Sequence, residues 1–135
     1  MRPYAQVLEQ LRTAGLRPTR QRLALAKLLF ENGPRHMTAE ALHGEAQKAA
    51  IRVSLATVYN TLHQFTEAGL LREIVVDTSR SYFDTTTYEH GHFYHESSGL
   101  LMDIEDPVQL VRMPNLPAGT KISGVDVVIR LSDAA

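Results

Sequence analysis

Residues 54–67, Ser54-Leu-Ala-Thr-Val-Tyr-Asn-Thr-Leu-His-Gln-Phe-Thr-Glu67, decide the fold of this chain. Apolar side chains at Leu55, Val58, Leu62 and Phe65 recur at helical spacing. Ser54 stands where a helix cap belongs, and Gly69 stops the run. The stripe leaves Thr57, Asn60 and Gln64 on the opposite face, short or amide side chains of the kind that touch base edges or phosphates in a major groove. Tyr59 lies at the stripe's edge, where its ring packs and its hydroxyl or ring edge reaches outward.

Working upstream, three further helices are expected. Tyr4 to Ala14 carries Val7, Leu8 and Leu11 on one face and meets Gly15; Thr19 caps a helix from Arg20 to about Asn32; Thr38 caps another that runs to about Ala50. Downstream, Leu70–Val76 and Arg80–Thr85 read as strands joined by Asp77-Thr78-Ser79. Helices followed by a β-hairpin describe a winged helix-turn-helix. Arg17, Arg20 and Arg22 then stand as phosphate or minor-groove contacts around the start of the second helix. The plainer alternative is a solvated polar face, since helix-turn-helix geometry also serves protein–protein contact.

Residues after 85 read as strands at His92–Glu96, Leu100–Ile104 and Ile122–Leu131, with a turn at Ser97-Ser98-Gly99. Pro107, Pro114 and Pro117 exclude a long regular helix between them. In the last strand Val125, Val127, Ile129 and Leu131 share one face. A sheet this small cannot bury both faces alone, so a second copy is expected to cover it, giving a homodimer. The expected class is α+β: a winged-helix DNA-binding domain over residues 1–85 and a small α/β dimerisation and sensing domain over 86–135.

Composition narrows the function classes. The 135 residues are 44% hydrophobic and 21% charged, ordinary for a folded protein, with no apolar run near the ~20 residues that span a bilayer. The first residues lack the apolar core of a signal peptide, so a cytoplasmic location without membrane contact is expected. The chain contains no cysteine, which excludes disulfides and any structural zinc held by four thiolates, and leaves His, Asp, Glu or water as metal ligands. Net charge is −1, but residues 1–84 hold 11 basic against 8 acidic groups and residues 85–135 hold 3 against 7. The first part suits phosphate and the second does not.

Three of the six histidines fall within Tyr88-Glu-His-Gly-His-Phe-Tyr-His95. His90 and His92 are two apart, so on a strand both imidazoles point to one face, a chelating arrangement for a divalent transition metal. His95 has the opposite parity and reads as a surface residue. His43 and His63 stand on helices without a partner at metal-binding spacing. Two histidines with a carboxylate also hold iron in non-haem oxygenases. That enzyme reading needs a many-stranded barrel, for which about fifty strand-like residues are too few, so no enzyme is expected.

The run Ala14-Gly-Leu-Arg-Pro-Thr-Arg-Gln-Arg-Leu23, then Met37-Thr-Ala-Glu-Ala-Leu42, then Ser54 to His63 with the His-x-His segment, resembles the ferric uptake regulator family over essentially the full chain. Val58 to Leu71 and Val125 to Leu131 look most like its iron response regulator branch. The resemblance implies base contacts for Tyr59 and a minor-groove role for Arg17. Most relatives carry Arg where Asn60 stands, which alters one contact. It also implies a regulatory site made of His36, Asp84, His90, His92 and Asp103. An ion held by all five would tie the two domains and set the spacing of two recognition helices, making ligand binding into DNA affinity.

Two departures from the family pattern stand out. His95 and Ser98 occupy positions of a first CxxC pair and the second pair is missing. Glu89, Gly91 and Val125 occupy positions of an eroded second metal site. In the iron response regulator branch the ligand is haem, for which His90, His92 or His95 are the axial candidates, although three consecutive histidines are here Glu89-His90-Gly91-His92. Direct sensing of Fe²⁺ or Mn²⁺, with Zn²⁺ able to occupy the same site, and peroxide sensing through bound iron stand beside it.

Overall fold

The computed structural model describes residues 4–134 and divides into two compact units between Thr87 and Tyr88. The first unit contains α1 (Ala5–Thr13), α2 (Arg20–Phe30), β1 (His36–Met37), α3 (Ala39–Lys48), α4 (Leu55–Glu67), β2 (Arg72–Asp77) and β3 (Arg80–Asp84). The second contains β4 (His92–His95), β5 (Leu100–Asp103) and β6 (Val128–Leu131). Among the described residues no helix is long and apolar enough to cross a membrane.

Three helix starts follow one device. Thr19, Thr38 and Ser54 each adopt extended backbone, and their side chains accept the N–H of Arg22, Ala41 and Thr57. Each bond satisfies one of the amides a helix start leaves without a partner. At the end of α4, Gly69 turns left-handed at φ 82°, and Leu70 N–H reaches back to Phe65 C=O at 2.9 Å. That cap occupies Leu70, so the first wing strand begins at Arg72 rather than at the expected Leu70.

Val58, Leu62 and Phe65 of α4 are fully buried against Leu25 and Leu29 of α2, Leu42 of α3, Leu11 of α1 and Phe83 of β3. Leu55 lies at the margin of this cluster, and Thr61 joins the buried face. The sheet order is β1-β3-β2, with Ile74 opposite Tyr82 and a bulge between Val75 and Asp77 that tightens the wing. At its tip the Asp77 carboxylate accepts both the N–H and the hydroxyl of Ser79 at 2.8 Å, closing a two-residue loop.

One interaction ties α2 to α3. The Arg35 guanidinium pairs with both carboxylate oxygens of Glu45 and donates to Leu28 C=O at 3.2 Å. Arg35 holds the Glu45 carboxyl below its ordinary range, chiefly by hydrogen bonding, and is itself held above its own. A carboxyl depressed in the folded state stabilises above its unfolded value, about 4.3, and loses that stabilisation as pH falls through the folded value. Side-chain exposures of 26% and 36% screen the pair, so Glu45→Gln should cost about 1 kcal/mol at neutral pH. Urea midpoints of wild type and variant should converge as the pH falls below about 4; a gap that persists in acid would assign the cost to packing instead.

In the second unit β4 lies between β5 and β6, antiparallel to the first and parallel to the second. The expected strand Ile122–Leu131 is reduced to Val128–Leu131. The reason is register: His92 pairs with Val128, its N–H donating to Val127 C=O at 3.0 Å, and His95 pairs with Leu131, so the paired length is set by the four residues of β4. The alternation read in the sequence is real but exceeds its partner. No helix occurs among the described residues of this unit, in keeping with its three prolines between 107 and 117.

Candidate functional site

On the first unit, α4 and the start of α2 enclose a cleft of about 430 Å³ lined by Arg17, Arg22, Thr57, Asn60 and Gln64, with Thr19, Gln21 and Thr61 between them. Arg22 donates Nε–H and Nη2–H to Gln64 Oε1, at 3.2 and 2.8 Å, and Nη1–H to Arg17 C=O at 2.9 Å. The amide oxygen of Gln64 is thereby committed, and its NH₂ is the donor left for a ligand. The cleft is cationic, polar and backed by a buried helix face, as phosphate and base-edge recognition requires. Arg20, Ser54 and Tyr59 lie outside its lining. Arg20 is exposed on the first turn of α2. Ser54 is occupied as the α4 cap and also donates to Thr57 Oγ1 at 3.0 Å. The Tyr59 hydroxyl donates to Glu40 Oε1 at 2.8 Å, a partner the sequence did not suggest.

The first unit also brings together two further predicted residues. The two-residue strand β1, not expected from the sequence, places His36 directly opposite Asp84 on β3. Thr85 extends the pairing, its N–H donating to Arg35 C=O at 3.0 Å while its hydroxyl accepts Arg35 N–H at 2.9 Å. Asp84 is only 1% exposed and accepts Thr86 N–H at 2.9 Å. A carboxylate so deep needs donors or a cation to stay ionised.

On the second unit, His90, His92 and Asp103 converge. His92 sits opposite Asp103 in the β4–β5 ladder, and His90 enters from the segment just before β4. Both Nε2 atoms lie near one oxygen, Asp103 Oδ1, at 3.2 and 3.3 Å, and the two rings stand 4.3 Å apart. His90 Nδ1 lies 3.0 Å from Tyr88 C=O; a proton carried there is accepted by that carbonyl and leaves Nε2, beside Asp103, as the ligand atom. Two metal bonds of about 2.1 Å at right angles separate their donor atoms by about 3.0 Å. The donor set therefore fits one divalent ion of the nitrogen- and oxygen-preferring kind.

Gly91, between the two histidines, lies close against an apolar wall. A Cβ there would meet Val108 Cγ2 at 3.1 Å and Ile104 Cδ1 at 3.2 Å. A side chain at this position would need Val108 and Ile104 to give way by a few tenths of an ångström. A cavity of about 660 Å³ opens beside His90, between Tyr88, Ile104, Val108, Met113 and Val127. His95 is turned elsewhere: its Nε2 lies 3.2 Å from Asp133 Oδ1 and its Nδ1 3.0 Å from Ser97 Oγ. His43 contacts Val53 C=O through Nε2 at 3.2 Å, and His63 stacks on Tyr59.

A model of the ferric uptake regulator family matches residues 13–130. The chain belongs to that family. Among curated proteins, the peroxide operon regulator of Bacillus subtilis is 35% identical over 102 residues, covering 76% of this chain and 70% of that protein. The peroxide-responsive repressor PerR of Staphylococcus aureus is 33% identical over 100 residues, covering 74% and 67%. The ferric uptake regulator from Pseudomonas aeruginosa, solved with manganese, superimposes with a TM-score of 0.71 at 25% identity over 95% of this chain and 98% of that one. The Vibrio cholerae ferric uptake regulator shares the fold, with a TM-score of 0.72 at 23% identity over 93% and 98%. As a ferric uptake regulator family member, the chain is a DNA-binding transcriptional regulator of the metal-responsive kind, and its family and neighbours are regulators rather than enzymes.

Proposed function

We propose that this regulator binds its operator as a homodimer in the cytoplasm and that a divalent cation, Fe²⁺ or Mn²⁺, switches its affinity. The observation that carries the reading is the convergence of His90, His92 and Asp103 at metal-ligand spacing. His36 and Asp84, paired across β1 and β3, are proposed to complete the ligand set. The cation supplies a charge that holds these donors in one arrangement. Arg17, Arg20, Arg22, Thr57, Asn60 and Gln64 hold the DNA, Tyr59 reads a base edge, and Ser54 fixes the start of the reading helix. Dimerisation is supported by apolar side chains left exposed on the second unit, among them Leu100 at 54%, Val111 at 105% and Ile129 at 40%.

A divalent cation fits better than haem. His92 is 1% exposed, and His95 has protein partners at both ring nitrogens, so of the three axial candidates only His90, beside the cavity of about 660 Å³, is left for haem, whereas His90, His92 and Asp103 together suit a cation. Peroxide sensing is the second reading, because both relatives reported above are peroxide regulators. The test titrates the protein with Mn²⁺, Fe²⁺ or haem and follows retardation of duplex DNA selected from a random pool. Tighter retardation with Mn²⁺ and Fe²⁺ is expected. Loss of retardation with a shifted Soret band would replace the cation by haem. Hydrogen peroxide that releases DNA from the Fe²⁺-loaded protein but not from the Mn²⁺-loaded protein would establish the peroxide reading.

A further inference from the structure

We propose that Glu40 sets the base specificity of this regulator by fixing the hydrogen-bond polarity of Tyr59. The proposal rests on the reading of α4 as the DNA-contacting helix. The Tyr59 hydroxyl donates to Glu40 Oε1 at 2.8 Å, joining the middle of α4 to the first turn of α3. A phenol has one proton, and an ionised carboxylate is an acceptor only. With that proton given to Glu40, the phenolic oxygen offers DNA nothing but lone pairs.

An acceptor in a major groove complements the adenine N6 and cytosine N4 amino groups. It is repelled by guanine O6, thymine O4 and phosphate oxygens. Tyr59 without Glu40 would be indifferent, since a free hydroxyl rotates to donate or accept as the base requires. The ring itself is held independently: it stacks on His63, centroids 6.3 Å apart at 18°, and His63 stands edge-on to Phe83 at 5.4 Å. Stacking therefore fixes where the oxygen sits, and Glu40 fixes which way its proton points.

The electrostatics agree. Tyr59 is held above the ordinary tyrosine range, first by the hydrogen bond to Glu40, then by burial, then by the charges of Glu40 and Glu73. Two carboxylates acting on one phenol disfavour a phosphate at this point of α4, in contrast to the cationic cleft of Arg17 and Arg22. Glu40 in turn sits at a helix N-terminus, where the backbone dipole favours a negative charge. The two ends of the reading surface thus divide the work, one holding the backbone and the other discriminating between bases.

The test equilibrates the Mn²⁺-loaded full chain with a random-sequence duplex pool and sequences the bound fraction for wild type, Tyr59→Phe, Glu40→Ala and Glu40→Gln. Wild type should select adenine or cytosine at one position per half-site. Tyr59→Phe and Glu40→Ala should lower that preference about fivefold, the scale of a single base-edge hydrogen bond. Glu40→Gln should retain it, because its amide oxygen accepts the same proton. Both Glu40 variants should bind unselected duplex more tightly and with steeper salt dependence. Tyr59 ionisation, read as the ultraviolet difference from Tyr59→Phe, should move down toward about 10 in Glu40→Ala. A preference lost in Tyr59→Phe but intact in Glu40→Ala would overturn the proposal alone. Failure of wild type to select any sequence would overturn both it and the DNA-reading role of α4.

Discussion

His92→Ala should weaken Mn²⁺ binding by at least about 100-fold and abolish metal-dependent DNA retardation. Losing a group that merely orients a metal ligand typically costs 10–100-fold, and His92 is itself a proposed ligand. Its ring is fully buried on the central strand of its sheet, with Asp103 opposite and His90 alongside. Alanine leaves His90 and Asp103 as two donors on this unit, too few to hold an exchangeable ion. Because His92 also packs within β4, the variant loses contacts as well as a ligand. His90→Ala separates the two effects, since His90 precedes the strand and its loss leaves the β4 ladder in place. Both variants should lose Mn²⁺ by calorimetric titration, and His90→Ala should keep the wild-type urea midpoint. Unchanged Mn²⁺ affinity in His90→Ala would remove this triad from the sensing mechanism.

The helical half of the fold was legible because its signals are local. Caps at Thr19, Thr38 and Ser54 and the stripe of α4 need only a few neighbouring residues to be recognised, and the structure places each of them as read. The strands were legible where alternation and a turn coincide, as in β2 and β3. β1 was not: His36 and Met37 are too few to show a period, and they become a strand only because β3, nearly fifty residues later, offers Asp84 and Phe83 as partners. β6 failed in the opposite direction, since alternation was present but β4 was too short to use it all.

The site divides in the same way. His90 and His92 were visible from spacing, and Gly91 between them lies close against Val108 and Ile104. The pairings of His36 with Asp84 and of His92 with Asp103 are cross-strand neighbours that no local pattern announces; only the family resemblance pointed to those residues. Glu40 and Tyr59, nineteen positions apart on two helices, gave no signal of their contact. An acidic residue in a helix's first turn has an ordinary explanation in the helix dipole, and that explanation concealed its second partner.

Phe65→Ala carries the largest expected cost to stability, about 3–5 kcal/mol, because it empties a large space at the centre of the first unit. Phe65 is completely buried, with the Phe30 ring 6.3 Å away, and its carbonyl accepts the Leu70 N–H that closes α4. A whole domain is typically stable by only about 5–15 kcal/mol, and small domains lie at the low end. Urea midpoints should therefore fall sharply in Phe65→Ala and slightly in Phe65→Leu, which keeps most of the volume. DNA retardation should fall in parallel, since the same helix presents Asn60 and Gln64 on its other side. Asn60→Ala, on the exposed face, should weaken DNA binding and leave the midpoint within about 0.5 kcal/mol of wild type. If Phe65→Ala moved the midpoint no more than Asn60→Ala, the stripe that decides this fold would not be its core.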